Sequence, residues 1–317
     1  MRRQGRRAAG LSPALPTGLQ PGLVVAAHGR HVVVETADGT RLRCHVRGKK
    51  SELVVGDRVR WQVAGDEGVI ESLVERRNLL FRQDEWRTKS FAANLDLILV
   101  LVAGEPMFSE SQLTRALIAA EQAGIPVCIG LNKTDLPAAA LARERLAPYV
   151  KMGVQVVEMA LKTAPEAARA VLGPLLAGKT TLVLGPSGMG KSTLINLLLP
   201  EAAAQVGEIS HALNSGRHTT TSTTWYWLNG VHGDAERGAL LDSPGFQEFG
   251  LRQVEPTALA TLMPDFAAHL GQCRFHNCTH RHEPSCGVRD ALARGEIATT
   301  RYRIYGELFE ELSSKRW

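Results

Sequence analysis

Between residues 21 and 88, apolar and polar residues alternate in short runs. Leu42, Cys44 and Val46 alternate with charged residues, and Val59, Trp61 and Val63 repeat the pattern further along. A period of two is typical of strands with one buried face. Turn-forming pairs separate most runs: Asp38-Gly39, Gly56-Asp57 and Gly65-Asp66. The pattern predicts five strands, which suit a small closed barrel of the OB type, at about 22–27, 31–36, 41–46, 58–63 and 69–74.

From residue 89 the pattern changes to continuous apolar runs, as expected for strands buried on both faces of a parallel sheet. The runs are Leu97–Val102, Val127–Leu131, Val154–Met159 and Leu182–Leu184, with further strands predicted at Trp225–Leu228 and Ala239–Leu241. A helix is predicted from about Ser111, because Leu113, Ala116, Leu117 and Ala120 recur at helical spacing, and Gly124 and Pro126 end it. Alternating strands and helices indicate an α/β domain.

A phosphate-binding loop follows the strand at Leu182–Leu184. The spacing Gly-x4-Gly-Lys-Ser lets backbone N–H groups face phosphates, with the start of the next helix pointing at them. Lys191 would add charge toward the β- and γ-phosphates, and Ser192 would offer a hydroxyl to Mg²⁺. The candidate phosphate-binding residues are Gly185, Pro186, Ser187, Gly188, Met189, Gly190, Lys191, Ser192 and Thr193.

A guanine-reading motif comes earlier in the chain, at the end of the strand Val127–Leu131: Asn132, Lys133, Thr134 and Asp135. The Asp135 carboxylate would accept hydrogen bonds from guanine N1–H and the 2-amino group, which adenine does not offer, for about 3 kcal/mol of discrimination. The stem of Lys133 would lie on the base. A backbone contact to guanine O6 is expected at Ala160, although Met159 replaces the usual serine before it.

Two switch segments are predicted after the phosphate loop. Thr220, within the run Gly-Arg-His-Thr-Thr-Thr at 216–221, is the candidate for Mg²⁺ and γ-phosphate. In Asp-Ser-Pro-Gly, Asp242 would reach Mg²⁺ through water and Gly245 would meet the γ-phosphate. Phe246 stands where many GTPases place a water-orienting Gln, so His218 is the candidate to position water, and intrinsic hydrolysis should be slow. Because the base reader precedes the phosphate loop, the domain is a circular permutation.

Four potential metal ligands cluster near the C-terminus: Cys273, Cys278, His280 and Cys286. Three thiolates and one imidazole form a closed tetrahedral set, which suits a structural Zn²⁺. His276 and His282 are nearby rivals, interpreted as surface or RNA-facing. A final helix is predicted at Tyr302–Leu312, with arginines around it at 289, 294, 301 and 303.

The charge of the 317-residue chain is uneven. The net charge is +5, and the outward arginines of the barrel, with Lys49 and Lys50, form a basic face suited to RNA phosphates. Residues 1–20 carry four arginines and no acidic residue, a composition that fits a transit peptide or a flexible basic arm, of which we favour the arm. Pro13 and Pro16 break the long apolar core that a signal peptide would need. No apolar run approaches the ~18 residues needed to span a bilayer, so no membrane partner is expected. Clustered cysteines suit metal in a reducing cytosol.

The permuted motif order, the Gly-Arg-His-Thr-Thr-Thr run, the Asp-Ser-Pro-Gly-Phe sequence and the two flanking modules resemble the RsgA (YjeQ) family of small ribosomal subunit biogenesis GTPases, over about residues 21–317. The resemblance implies a GTP hydrolase stimulated by the 30S subunit, bound to 16S rRNA late in subunit maturation and released on hydrolysis. The spacing of Cys273, Cys278, His280 and Cys286 also resembles the zinc motif of that family. We expect a monomer in the cytoplasm, with one structural Zn²⁺, and Mg²⁺ bound with GTP.

The expected division is a basic arm at 1–20, an OB-type barrel at 21–88, a permuted GTPase domain at 89–250 and a mainly helical zinc-binding domain at 251–317. Two alternatives stay open. In one, the protein is a nucleotide-gated RNA-binding protein in which hydrolysis is incidental, which Phe246 suggests. In the other, it is an ATPase or kinase, which requires the sequence at 132–135 to be a coincidence.

Overall fold

The structure, a computed structural model, describes residues 18–28, 31–47, 52–65, 67–83, 88–200, 223–228, 237–242 and 251–314. Several predicted features lie outside these ranges. They are most of the basic arm, Lys49 and Lys50, the first switch with His218 and Thr220, and Gly245 with Phe246.

The N-terminal barrel forms as predicted. Its strands are β1 Gln20–His28, β2 His31–Glu35, β3 Arg41–Val46, β4 Arg58–Ala64 and β5 Glu67–Leu73. They pair in the order β1-β2-β3-β5-β4, and β4 closes on β1. Cys44 and Trp61 lie in the barrel core, as the alternation indicates. Val63 does not: it is 65% exposed, because it lies at the end of β4, next to the turn that leads to β5.

The basic face of the barrel is partly neutralised by ion pairs. Glutamates on neighbouring strands pair with the arginines of β3 and the residue after it: Arg41 with Glu35, Arg43 with Glu67 and Arg47 with Glu71. The positive charge of the predicted basic face is therefore reduced at these three side chains. Alternation shows which face a residue occupies, but not the partner that a neighbouring strand supplies.

A hairpin that the sequence did not predict connects the barrel to the α/β unit. It consists of β6 Leu79–Gln83 and β7 Thr88–Ala93, which pair antiparallel with a register shift near Phe81. The shift breaks the regular alternation, so no period of two marks the hairpin. The predicted boundary at residue 88 falls at the first residue of β7 and stays a prediction.

The described part of the α/β unit contains six strands: β8 Leu97–Ala103, β9 Val127–Asn132, β10 Gln155–Glu158, β11 Thr180–Leu184, β12 Thr224–Leu228 and β13 Gly238–Asp242. Their order is β10-β9-β8-β11-β13-β12, all parallel except β12. Strand β8 is buried along its whole length, which explains its unbroken apolar sequence. One antiparallel pairing, Ala26 with Thr224, continues this sheet into the barrel.

Within the same residues, these strands are accompanied by the helices α1 Glu110–Ala123, α2 Ala139–Lys151, α3 Pro165–Leu176 and α4 Lys191–Leu198. Helix α1 begins where the Ser109 hydroxyl accepts the Gln112 N–H, and it ends at Gly124, whose φ of 65° suits glycine. The predicted helix is thus confirmed with its stop signal.

The C-terminal region is mainly helical. It contains 3₁₀ helices at Pro256–Leu262 and Leu270–Gln272, and α-helices α5 Pro264–Ala267, α6 Gly287–Ala293 and α7 Thr299–Ser314. The predicted final helix corresponds to α7, in which Tyr305, Leu308 and Leu312 are buried. Among the helices that the structure describes, none has the length and apolar character needed to cross a membrane.

Arg301, one of the four arginines predicted around the final helix, is buried. Its side chain is 2% exposed and forms two hydrogen bonds with the Asp265 carboxylate, at 2.9 and 2.7 Å. It also donates to the Thr114 hydroxyl of α1 and lies over the ring of Tyr149 of α2. Arg301 therefore joins the C-terminal helices to the α/β unit.

Candidate nucleotide-binding site and metal centre

The phosphate loop lies between β11 and α4, as predicted. The Lys191 ammonium is half-buried and donates to the carbonyl oxygens of Gly185 and, at 3.1 Å, Pro186. Burial lowers the pKa of this ammonium from its ordinary value of 10.5, and the Asp242 carboxylate offsets the effect only in part. A bound phosphate would favour the charged form of Lys191 and compete for its donors.

Asn132 connects the base-reading motif to the phosphate loop. Its side chain is buried, and its amide N–H donates to the Met189 carbonyl at 2.8 Å. Its amide oxygen accepts the Leu161 N–H at 3.1 Å. A Cβ on Gly190 would lie 2.3 Å from the Asn132 amide nitrogen, which is too close for any side chain. Gly190 also has a φ of 106°, a backbone conformation that favours glycine. The structure thus gives Asn132 a positioning role that motif spacing alone did not show.

Lys133 and Thr134 also hold loops in place. The Lys133 ammonium donates to the Glu105 carbonyl at 2.7 Å, in the segment after β8. The backbone N–H and the hydroxyl of Thr134 both donate to the Met159 carbonyl, at 3.2 and 3.1 Å. The bond of Lys133 joins the loop after β9 to the segment after β8, and the bonds of Thr134 join it to the end of β10.

One cavity of about 520 Å³ brings the base-reading and phosphate-binding motifs together. Asp135 lines one part of it, and Ser187, Gly188, Gly190 and Lys191 to Thr193 line another. The convergence follows from the topology, since β9 and β11 are parallel and end at the same edge of the sheet. Motifs that are far apart in the sequence therefore share one site.

The cavity does not include every predicted residue. Ala160 does not line it, whereas its neighbours Leu161, Lys162 and Thr163 do. Among the described residues, the other predicted ones that do not line it are Thr134, Gly185, Pro186, Met189 and Asp242. The carbonyl groups of Gly185, Pro186 and Met189 accept hydrogen bonds from Lys191 and Asn132, which do line it. The base-reading motif ends at Asp135 and gives no information about Leu161–Thr163. The signal in the sequence that could have identified these three residues as lining the site is their position just after the next strand, β10. The proposed contacts to nucleotide remain predictions for all these residues.

Replacing Asn132 with Ala is expected to loosen both loops. Two buried backbone groups, the Leu161 N–H and the Met189 carbonyl, would lose their partner, at a cost of about 1–3 kcal/mol. We expect GDP affinity to fall at least about tenfold, which is the equivalent of ~1.4 kcal/mol. Binding of a fluorescent GDP analogue measures this. Asn196→Ala, on the exposed face of α4, is the matched control. Equal GDP affinity in both variants would contradict the positioning role.

The four predicted metal ligands form a compact cluster. Their ligand atoms all lie within 4.8 Å of one another. The Cys273 and Cys286 sulfur atoms are 3.9 Å apart, and each lies 3.5 Å from the Nδ1 atom of His280. Tetrahedral Zn²⁺ with ordinary bond lengths would place such atoms about 3.8 Å (S···S) and 3.6 Å (S···N) apart. The cluster can therefore hold a metal ion, whereas His276 and His282 are not part of it.

The thiols of the cluster are suited to a cation rather than to free reactivity. Burial raises the pKa of Cys278 to about 12. A divalent cation would replace the thiol protons, since the thiolate is the ligating form. The loop that carries His280 is held by neighbouring groups, with the Tyr302 hydroxyl on the His280 carbonyl at 2.7 Å and the Tyr305 hydroxyl on the Thr279 carbonyl at 2.8 Å.

Barrel, sheet order and site together define a circularly permuted P-loop GTPase. Solved structures agree. YjeQ from Thermotoga maritima superposes with a TM-score of 0.71 at 30% identity, over 94% of this chain and 100% of that one. YloQ, a circularly permuted GTPase, gives a TM-score of 0.70 at 24% identity, over 95% and 97% of the two chains, and supports the fold alone.

Sequence comparisons are more specific. The model of the RsgA GTPase family matches residues 73–252, more than half of the 317. The chain is 60% identical to the small ribosomal subunit biogenesis GTPase RsgA of Variovorax paradoxus strain S110, over 97% of this chain and 99% of that one. It is 54% identical to the protein of the same name from Burkholderia pseudomallei strain K96243, over 92% of each. The chain belongs to the RsgA GTPase family, and it is a GTP hydrolase.

Proposed function

We propose that this GTPase binds the small (30S) ribosomal subunit, contacts 16S rRNA and acts late in small-subunit maturation. The observation that carries the proposal is the 60% identity, over nearly the whole chain, to a relative named as a small ribosomal subunit biogenesis GTPase. We further propose that the protein acts as a monomer in the cytoplasm and that the ribosome stimulates hydrolysis, which releases the factor.

In this proposal, the chain's own residues bind and orient GTP. Asp135 accepts hydrogen bonds from guanine, and the stem of Lys133 lies along the base while its ammonium bonds the Glu105 carbonyl. The phosphate-loop N–H groups and Lys191 neutralise the charge that develops on the phosphates. When bound, Mg²⁺ supplies further charge neutralisation, and Ser192, Thr220 and, through water, Asp242 are the residues that would hold it. His218 is proposed to orient the attacking water, with Gly245 donating to the γ-phosphate.

The metal cluster is proposed to hold one structural Zn²⁺. Its spacing fits tetrahedral coordination, and four protein ligands would leave no position for a reacting water. The role is then to hold the loop at 273–286 in shape, because a segment this short buries little core of its own.

Glu283→Gln is expected to weaken that metal site about tenfold, as loss of a group outside the ligand set commonly does. Burial would raise the pKa of Glu283, but hydrogen bonds from the hydroxyl and N–H of Thr279 and the N–H of His282 outweigh it and hold the pKa below its usual 4.5. The carboxylate is thus charged above pH 4.5, and its stabilisation is lost as the pH falls through the lowered pKa. Chelator competition for Zn²⁺ at pH 7 measures the change.

The control for this test is Glu307→Gln, on the exposed face of α7, where Arg303 is the only ion-pair partner of Glu307 among the described residues. Zinc affinity should be unaltered in that variant. If Glu283→Gln behaves like the control, the hydrogen-bonded carboxylate does not support the metal loop.

The subunit role is tested by GTP turnover with and without 30S particles. We expect 30S particles to raise turnover at physiological salt, and 50S particles to serve as the control. Unchanged turnover would contradict the ribosome-activated version. His218→Ala in the same assay separates the catalytic role from a nucleotide-gated binding role: release from rRNA at the normal rate without turnover would show that hydrolysis is incidental.

A further inference from the structure

A second cavity, of about 650 Å³, lies between the barrel and the α/β unit. One wall comes from β1, the β2–β3 turn and β4, and the other from β12 and the residues just before β11 and β13. Its volume falls within the ~300–1,000 Å³ typical of ligand sites, which often lie at domain interfaces. Within the described ranges, no residue assigned above to nucleotide or metal lines this cavity.

The barrel wall carries positive charge with no internal partner. Elsewhere in the cavity, Arg77 pairs with Asp96 at 2.7 Å, and Glu35 accepts from Arg41 at 2.9 Å. Arg58 and Arg60 differ: neither guanidinium pairs with any side chain that the structure describes. They are two residues apart on β4, so they share a face, and both line the cavity. Two adjacent guanidinium groups are suited to bind a phosphate.

The opposite wall carries an aromatic pair. Trp225 and Trp227 of β12 contact each other edge to face, with ring centroids 5.2 Å apart. The Arg237 guanidinium lies 4.5 Å from the Trp227 ring centroid, and the Trp227 N–H donates to Glu35 at 2.6 Å. Trp225 is 4% exposed, and its indole N–H finds no acceptor among the residues described. This wall offers aromatic surface and a buried hydrogen-bond donor.

We propose that this interdomain cavity binds one unpaired nucleotide of a single-stranded RNA, with its phosphate on Arg58 and Arg60 and its base against Trp225 and Trp227. Inorganic phosphate would leave the indoles unused, and an apolar ligand would leave both arginines uncompensated. An unpaired nucleotide supplies an anion and a flat heterocycle with acceptors, which proteins bind by stacking and basic side chains. The site differs from the usual ligand face of OB folds on strands 2 and 3. The proposal rests on the proposed function in rRNA binding.

The test uses the full-length, zinc-loaded protein with saturating GDP and Mg²⁺, so that the GTP site is occupied. Anisotropy of fluorescein-labelled U6 and A6 hexamers measures RNA binding across a salt series. Replacing both Arg58 and Arg60 with Ala should weaken binding at least about tenfold and lower the log–log salt slope by about 0.7 for each lost phosphate contact. Arg145→Ala, an exposed arginine on α2 without a described partner, should bind RNA like the wild type.

A second measurement localises the base. Hexamers containing 4-thiouridine, irradiated on the protein, should crosslink to the peptide that contains Trp225 and Trp227. Trp227→Phe, which keeps a ring but loses the donor to Glu35, should weaken hexamer binding and leave the salt slope unchanged. Wild-type affinity in the double arginine variant, or crosslinks confined to other peptides, would overturn the assignment.

Free UMP distinguishes the two sources of a nucleotide. Competition by UMP as strong as that by an unlabelled hexamer would identify a free nucleotide as the ligand and overturn the RNA assignment. Turnover with 30S particles is measured separately, on the wild type and on the double arginine variant. If the hexamer binds at the cavity but 30S particles do not stimulate turnover, only the subunit role is rejected. If the double arginine variant keeps both 30S stimulation and wild-type hexamer affinity, only the cavity proposal is rejected.

Discussion

Asp135→Asn is expected to lower GTP affinity about 100-fold, a loss of about 3 kcal/mol, and to shift preference toward xanthine nucleotides. The carboxylate would accept two N–H donors of guanine. An amide presents one acceptor and one donor, and xanthine carries a carbonyl where guanine has its amino group. Asp135 is exposed at the rim of the cavity, so the substitution should leave the fold unaltered. Titration with fluorescent GDP and XDP analogues measures both affinities.

Glu144→Gln is the control for this experiment, since Glu144 is an exposed carboxylate on α2, outside the cavity. It should keep the wild-type ratio of GDP to XDP affinity. If Asp135→Asn also keeps that ratio, the prediction that Asp135 recognises guanine is wrong. If ATP then competes with GTP equally well, the ATPase alternative becomes the better explanation.

Arg301→Met is expected to destabilise the protein by about 3–5 kcal/mol, because it leaves the Asp265 carboxylate buried without its partner. Burial alone would lower the pKa of Arg301, but the hydrogen bonds and charge of Asp265 outweigh it and raise the pKa above its ordinary value. The guanidinium is therefore charged at every physiological pH. Urea unfolding followed by circular dichroism measures the loss.

Two further variants distinguish loss of the Arg301–Asp265 ion pair from general disruption of α7. Adding Asp265→Leu to Arg301→Met removes the second charge and should recover much of the stability. Arg303→Ala, which breaks an exposed pair with Glu307, should change stability by less than about 0.5 kcal/mol. A double variant no more stable than Arg301→Met would show that the ion pair is not what matters.

Local patterns predicted the strands and the motifs of this protein well. Alternation around Cys44 and the unbroken run of β8 report which faces are buried, and Lys191 and Asp135 are parts of motifs with fixed spacing. The convergence of Lys191 and Asp135 could also be predicted, since parallel strands end at one edge of a sheet.

Contacts between distant segments could not be predicted in this way. Arg301 has the sequence context of a surface arginine, and only the docking of α7 against Thr114 and Tyr149 buries it. Likewise, the glutamates that neutralise β3 come from neighbouring strands. The linking role of Asn132 depends on loops that are 29 and 57 residues away.

The pairing of Ala26 with Thr224 has a mechanical consequence. The barrel is not tethered to the α/β unit by a linker alone, because backbone hydrogen bonding runs from one sheet into the other. The joining strand begins directly after the first switch segment. If a large particle rotated the barrel, the rotation would be transmitted to that segment through the main chain. No side chain would have to change its contacts for this coupling to occur.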